Sequence, residues 1–306
     1  MQMTTFQAAY IETKKKGLLR DKINKTRHLL KSCEICPRAC KVDRLSGELG
    51  YCSTGEEAVV SSFNAHFGEE PPLVGTFGSG TIFFTHCNLK CNFCQNYDVS
   101  HEGAGEACGL GQLAGMMLIL QNNGCHNINF VTPTHVVPQI LSALDMAIDG
   151  GLRIPLVYNS SGYDKVETLK LLEGVIDIYM PDFKFWDPAI AEMTCNAPDY
   201  PDVAANAIIE MHRQVGDLQL DENGIATRGV LLRHLVMPSG IAGTGKVMSF
   251  IANHVSKNTY VNIMDQYRPC GKARLVKELA RPVSRAEFNK AVEEAKDAGV
   301  TRFAAV

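Results

Sequence analysis

The chain has 306 residues, 45% hydrophobic and 21% charged, with a formal net charge of −3. That balance suits one large α/β domain, or a domain with a small appendage, and excludes bulk attraction to nucleic acid or anionic lipid as the basis of function. No apolar run approaches the roughly 20 residues that cross a bilayer, and MQMTTFQAAYIETKKKGLL lacks a secretory apolar stretch, so a cytoplasmic protein with no membrane partner is expected.

Residues 1–30 are polar and rich in Lys and Arg, with helix-like spacing of Tyr10, Leu18, Leu19, Ile23, Leu29 and Leu30. Residues 31–75 hold a cysteine group, many glycines and Pro71–Pro72, and read as an irregular module pinned by metal. The expected division is therefore a helical and Cys-rich N-terminal module over 1–75 and a second unit over 76–306.

From about residue 79 the pattern alternates. Short apolar runs predict strands at 81–85, 127–131, 154–159, 175–180, 229–237 and 260–264. Helical patterns follow them at 113–123, 139–150, 166–174, 203–216, 246–256 and 284–299, the last opened by Ser284 as N-cap with Glu287 at N3. Continuous apolar strands imply burial on both faces, and regular βα repetition with right-handed crossovers gives a parallel sheet. Six units fall short of a closed eight-stranded barrel. The expected fold is α/β, an open partial (β/α)6 barrel of parallel strands with a small Cys-rich N-terminal module; a doubly wound sheet is the alternative. Either architecture puts ligands at the carboxyl ends of the strands.

Eleven cysteines in a cytoplasmic chain are not a disulfide framework. Cys87, Cys91 and Cys94, spaced C-x3-C-x2-C, fall on the loop after the first strand. Three thiolates can hold three irons of a cubane cluster and leave the fourth open, which a catalytic metal needs and a structural metal lacks. A zinc site completed by His86, or a cluster completed by Cys108, are the competing readings. Cys33, Cys36, Cys40 and Cys52, spaced C-x2-C-x3-C-x11-C, make a full set for a structural zinc or a second iron–sulfur cluster. Cys108, Cys125, Cys195 and Cys270 are scattered and read as small buried hydrophobes.

Polar residues end the other strands, where a core does not require them. These are Thr132-Pro133-Thr134-His135, Asn159-Ser160-Ser161-Gly162, Asp182-Phe183-Lys184 and Asp265-Gln266-Tyr267-Arg268, with Arg233-His234 inside the fifth strand. Asp182 and Lys184, two apart, share a face. Arg233 in an apolar run wants a carboxylate, whereas His234 points the other way. Gly240-x4-Gly245-Lys246 has the setting of a phosphate loop, but Val247 stands where such loops need Ser or Thr. Phe83, Phe84 and Phe93 are expected in the core or shielding the cysteine site.

The motif Cys87-x3-Cys91-x2-Cys94 after strand one, within six βα units, resembles the radical S-adenosylmethionine superfamily. The stretch GEEPPLVGTFGSGTIFFTHCNLKCNFCQNYDVS, with FVTPTHVVPQIL, VYNSSGYD, YMPDFKFW, LLRHLVMPSG and NIMDQYRP, resembles its pyruvate formate-lyase activating enzyme-like branch. The resemblance implies a [4Fe–4S] cluster whose open iron chelates S-adenosyl-L-methionine, and reductive cleavage to a 5′-deoxyadenosyl radical that takes hydrogen from a substrate. It also implies a low-potential electron donor of the flavodoxin or ferredoxin type. The substrate it leaves open is a small molecule or the backbone glycine of a partner protein. Cofactor contacts are expected from Thr134, His135, Asn159, Asp182, Lys184 and Arg233. Thr132-Pro133-Thr134-His135 stands where the activases carry Gly-Gly-Glu, a departure from the activase pattern. A non-catalytic iron–sulfur electron carrier or a zinc-dependent binding module is the competing class, separated from the radical enzyme by cofactor cleavage.

Overall fold

The structure, a computed structural model, describes residues 6–304. In chain order the helices are α1 (Ala9–Lys15), α2 (Leu18–His28), α3 (Pro71–Val74), α4 (Leu110–Asn122), α5 (Val137–Asp149), α6 (Val166–Leu172), α7 (Pro188–Cys195), α8 (Tyr200–Val215), α9 (Thr244–Phe250) and α10 (Arg285–Asp297). The strands are β1 (Ala58–His66), β2 (Ser79–Phe84), β3 (Glu106–Cys108), β4 (Ile128–Val131), β5 (Leu156–Ser160), β6 (Ile178–Pro181), β7 (Gln219–Leu220), β8 (Ala226–Leu235), β9 (Tyr260–Met264) and β10 (Arg302–Phe303). Among the described residues, no helix is long and apolar enough to cross a membrane.

The strands join in the order β10-β9-β8-β6-β5-β4-β2-β1-β3, with β7 on β8. The six expected strands are β2, β4, β5, β6, β8 and β9, all parallel to one another. This is the open, mostly parallel α/β sheet that the alternation implies, the path ending at β3 and β10 without joining them. Four further strands extend it. Residues 58–66, expected within an irregular segment, form β1, which pairs antiparallel with β2 and β3. Ser61, Ser62 and Asn64 break its apolar run, and the strand is only partly covered, so it lacks the continuous pattern of its neighbours. β7 is antiparallel to β8, and β10 adds parallel to β9.

Alternation along the strands sorts the side chains. Leu156, Tyr158 and Tyr179 join the main core with α4 and α5. Val157, Ile178, Met180 and Leu231 face inward and close on Leu73 of α3, Leu218 and Ala226 in a small core on the concave side. One step further along β5 and β8 the same inner face carries Asn159 and Arg233.

The N-terminal helices brace the back of this sheet. Ala9 N–H donates to Asp177 Oδ1 (2.9 Å), while Asp177 Oδ2 accepts from Leu156 N–H (3.0 Å). Lys14 pairs with Asp145 and Asp149 of α5 at 2.9 and 2.8 Å. The capping box expected at Ser284 and Glu287 opens α10.

Candidate active site

The loop after β2 is fastened from several directions. His86 and Lys90 take left-handed φ values of 70° and 52°, which bend the chain sharply around Cys87 and Cys91. Asn88 Nδ2 donates to Tyr163 O (2.8 Å), Asn92 N–H donates to Thr194 O (2.8 Å), and Leu89 is fully buried. Arg38 donates to Asn88 O (3.0 Å), Cys195 O (2.9 Å) and Asn196 O (2.5 Å). A guanidinium with its forked donors spent this way holds the loop to the N-terminal segment.

Cys87, Cys91 and Cys94 line one cleft of about 510 Å³, with Asn159, Asp182, Lys184 and Arg233 among its other walls. Burial pushes the Cys87 thiol up to about 12, so ionised sulfur here requires a compensating cation such as a bound metal. Three soft thiolate donors on one cleft are the donor set of an iron–sulfur cluster, each sulfur holding a different iron. The structure separates the other capping candidates: His86 lines the cleft, whereas Cys108 directs its thiol to Gly109 O (3.7 Å) in β3. Cys195, scattered in the sequence, lies with its Sγ 3.3 Å from Cys91 Sγ but is not part of the cleft wall.

Opposite the cysteines stands a charged cradle. Asp182 accepts from Lys184 Nζ (2.5 Å) and from Arg233 Nε (2.8 Å), and Arg233 Nη2 donates to Asn159 Oδ1 (2.7 Å). Burial would raise the Asp182 carboxyl, but the Arg233 guanidinium and the Lys184 ammonium outweigh it and hold the carboxyl below its ordinary range. Burial likewise works against the Lys184 charge, and Asp182 more than restores it. Two cations thus stay charged at a wall that could receive a ligand carboxylate.

Thr134 and His135 do not join them. The backbone turns at Thr132, with φ 61°, and Thr132 itself lines the cleft. The next residues wind into a buried 3-10 turn. Thr134 Oγ1 donates to Asp164 Oδ1 (2.8 Å), and His135 Nε2 meets Thr85 O at 3.0 Å. Burial lowers the His135 imidazole to about 3, so it is neutral. His135 is instead a wall of the four-cysteine pocket. His234 faces away from the cleft, bonded to Phe183 O (2.6 Å) and Thr244 Oγ1 (2.9 Å).

Sequence reasoning missed Glu69 and Glu70. Their side chains are 8% and 4% exposed, and Arg233 lies 3.7 and 4.0 Å away. Glu70 Oε1 accepts from Asn262 Nδ2 (2.9 Å), while Oε2 has no partner. Burial raises the Glu69 carboxyl although Arg233 opposes it. Two adjacent carboxylates directly before Pro71–Pro72 were the available signal; the β1–β2 hairpin that folds them over the cleft was not foreseen.

Phe83 lines the cleft, Phe84 packs on Phe130 in the core, and Phe93 packs edge-on against Phe185. At the phosphate-loop lookalike, Gly245 N–H already donates to Glu294 Oε2 (3.0 Å), where an anion would have to sit. Cys33, Cys36, Cys40 and Cys52 line a separate, small pocket with Ile35, Val42, Arg44, Gly50 and His135.

No protein-family model matches the chain. A search of curated proteins finds a relative in Methanocaldococcus jannaschii, the uncharacterized protein MJ0674, 34% identical over 295 residues covering 94% of this chain and 80% of that protein. Among solved structures, methylornithine synthase (PylB) aligns with a TM-score of 0.47 and 12% identity, covering 73% of this chain and 70% of its own. An anSMEcpe structure with bound AdoMet and Cp18Cys peptide aligns with a TM-score of 0.45 and 9% identity, covering 72% of this chain and 60% of its own.

Proposed function

We propose, for a chain that belongs to the family of the uncharacterized protein MJ0674, an enzyme of radical S-adenosylmethionine chemistry. The observation that carries this reading is the convergence of an incomplete set of three cysteines and a carboxylate-binding cradle on one cleft. A cleft of about 510 Å³ is in the range of sites that enclose a small ligand.

A [4Fe–4S] cluster bound here would supply the low-potential electron chemistry for reductive cleavage of S-adenosyl-L-methionine. Cys87, Cys91 and Cys94 would hold the cluster. Lys184 and Arg233 would receive the methionine carboxylate, with Asp182 keeping both cations charged and in place. Asn159, 4% exposed and bonded to Arg233, fixes the guanidinium from the other side. The amino end of the cofactor falls to the backbone near Thr132, since Thr134 and His135 are engaged elsewhere. Phe83 and Phe93 give the site apolar cover that keeps water from competing reactions.

Within the superfamily we assign the chain to the activating enzyme-like branch on the sequence segments that resemble it, with hydrogen taken from a substrate that is a small molecule or a protein backbone. The electron would come from a flavodoxin- or ferredoxin-type donor. A carrier or zinc module has no use for two buried cations facing the open side of its metal site.

Protein purified without oxygen, loaded with iron and sulfide and reduced with dithionite, should release 5′-deoxyadenosine and methionine from added S-adenosylmethionine. Fully loaded, reduced protein that releases none would overturn the assignment.

A further inference from the structure

We infer that the molecule that gives up hydrogen carries a cation, an alkylammonium or guanidinium group on an aliphatic stem, and that Glu69 and Glu70 receive it. The inference rests on the radical reading, because it names what the cleft holds beside the cofactor. The cradle for the methionine carboxylate is built from β5, the end of β6 and β8, through Asn159, Asp182, Lys184 and Arg233. Arg233 also meets a second set of partners. Its register partner on β9 is Asn262, which lines the same cleft and donates from Nδ2 to Glu70 Oε1 (2.9 Å). Glu70 thus extends the wall toward β9, with Glu69 beside it. The Glu70 side chain is 4% exposed, and its Oε2 has no hydrogen-bond partner among the described residues. Glu70 stands at the N-cap of α3, yet its carboxylate does not cap that turn. A buried carboxylate oxygen left bare on a cleft wall lacks the donor that a ligand supplies.

Charge gives the sign of that ligand. Among the described residues, Asp182, Glu69 and Glu70 put three carboxyl groups on the wall, against the cations Lys184 and Arg233. Arg233 bonds Asp182 at 2.8 Å and reaches Glu69 and Glu70 only at 3.7 and 4.0 Å. His66, 3.3 Å from Glu69, pairs with that residue when protonated and still leaves Glu70 Oε2 bare. A methionine carboxylate on Lys184 and Arg233 adds a further anion and claims part of the same guanidinium. Buried like charges stay together only with a counter-ion, so the second occupant of the cleft brings a positive group. Pro71, Phe83 and Met264 line the cleft with these acids, which suits an apolar stem next to the charge.

The acids are held ready before any ligand arrives. Leu73 of α3 is fully buried in the small core with Val157, Ile178 and Leu231, and its carbonyl accepts from Asn127 Nδ2 (2.9 Å). His126 Nε2 accepts from the Thr76 and Phe77 N–H groups at 3.2 and 3.3 Å. Between these anchors Gly75 takes φ 45°, and a Cβ there would lie 2.6 Å from His126 Nε2, so the turn closes this tightly only on glycine. A carboxylate pair fixed in advance loses little entropy on binding.

The test is calorimetric titration of the full-length protein, reconstituted anaerobically with iron and sulfide, kept oxidised and supplied with S-adenosylmethionine. The probes are butylamine, agmatine and, as a neutral counterpart, n-butanol. At least one amine should bind in the millimolar range, Glu70→Gln should weaken it by about tenfold or more, and n-butanol should give no binding heat. A blocked Gly-Lys-Gly peptide separates the sources of the cation: binding tighter than the free amines assigns it to a protein side chain, weaker binding to a small molecule. Amines that do not bind, or that bind Glu70→Gln as well as the parent, would overturn the inference. So would a Glu70→Gln variant that loses only S-adenosylmethionine affinity, since the acids would then serve the cofactor's own cations. Should Glu70→Gln fail to fold, Glu69→Gln in the same titrations decides between the same outcomes. Binding is read without turnover, so the two readings fail separately. Release of 5′-deoxyadenosine by the reduced parent without amine binding sinks this inference alone; amine binding without release keeps the cation site and ends the radical reading.

Discussion

Cys33, Cys36, Cys40 and Cys52 face one another across a void of about 10 Å³, walled by Ile35 and Val42. Cys87, Cys91 and Cys94 face a cleft of about 510 Å³ whose other walls carry Asp182, Lys184 and Arg233. Both regions are mostly buried thiols on irregular backbone, with Cys40 and Cys94 the half-buried members. What separates them is the company the sulfurs keep. One set meets apolar walls, a neutral imidazole and a single guanidinium; the other meets space and paired charges. The difference in ligand number matters because it coincides with that difference in surroundings.

The contrast can be broken most directly at Asp182. Asp182→Ala leaves the Lys184 charge without its partner and Arg233 without its nearest carboxylate, and breaking such a buried group costs about 3–5 kcal/mol. Denaturant unfolding should show that loss, and S-adenosylmethionine binding should weaken at least tenfold. Unchanged binding and stability would mean the cradle is ornamental.

Two buried aspartates sharpen the comparison through pH. Burial raises Asp177 from 3.8 to about 7, so between those values the unfolded chain releases a proton that the folded chain keeps. Stability contributed there is full below pH 4 and is lost as pH rises toward 7, by something on the order of 2–4 kcal/mol. Asp182 has the opposite sign: its lowered carboxyl contributes stability above pH 4 that is lost in acid. Unfolding of the parent and Asp177→Asn across pH 4–8 should show a steeper fall in the parent. Parallel curves would remove Asp177 as the titrating anchor of α1.

The smallest expected effect is at His86, which lines the cleft with an unpartnered Nδ1. If the iron corner is open, His86→Ala should keep the iron content and change cofactor cleavage by no more than about threefold, as expected of a wall residue that makes no bond to the cysteines. Loss of iron at the three-cysteine site would make His86 its fourth ligand and turn the open region into a closed one.

The parallel strands were legible because each is a continuous apolar run ended by polar residues. Asp182, Lys184 and Arg233 were legible because charges on the inner face of a buried strand need partners, and two-residue spacing put them on one side. Asn159 was legible as the first polar residue at the end of its strand. Thr134 and His135 lie away from the cleft because the left-handed turn at Thr132 leads into a buried 3-10 turn, and no residue type there announces it. Glu69 and Glu70 escaped because β1 is partly exposed and interrupted by serines, so the hairpin that carries them over the cleft left no strong period.

Arg38 makes the two cysteine regions mechanically one. It lies between the Tyr51 and Tyr163 rings, 4.0 and 5.1 Å from their centroids, while its donors grip carbonyls on the Asn88 and Asn196 segments. Such a rivet cannot set until all three stretches of chain have been synthesised and have met. The Cys87–Cys94 loop is therefore fastened on this side only once the chain as far as Asn196 has joined it, so a truncation before that residue would leave the loop without its clamp.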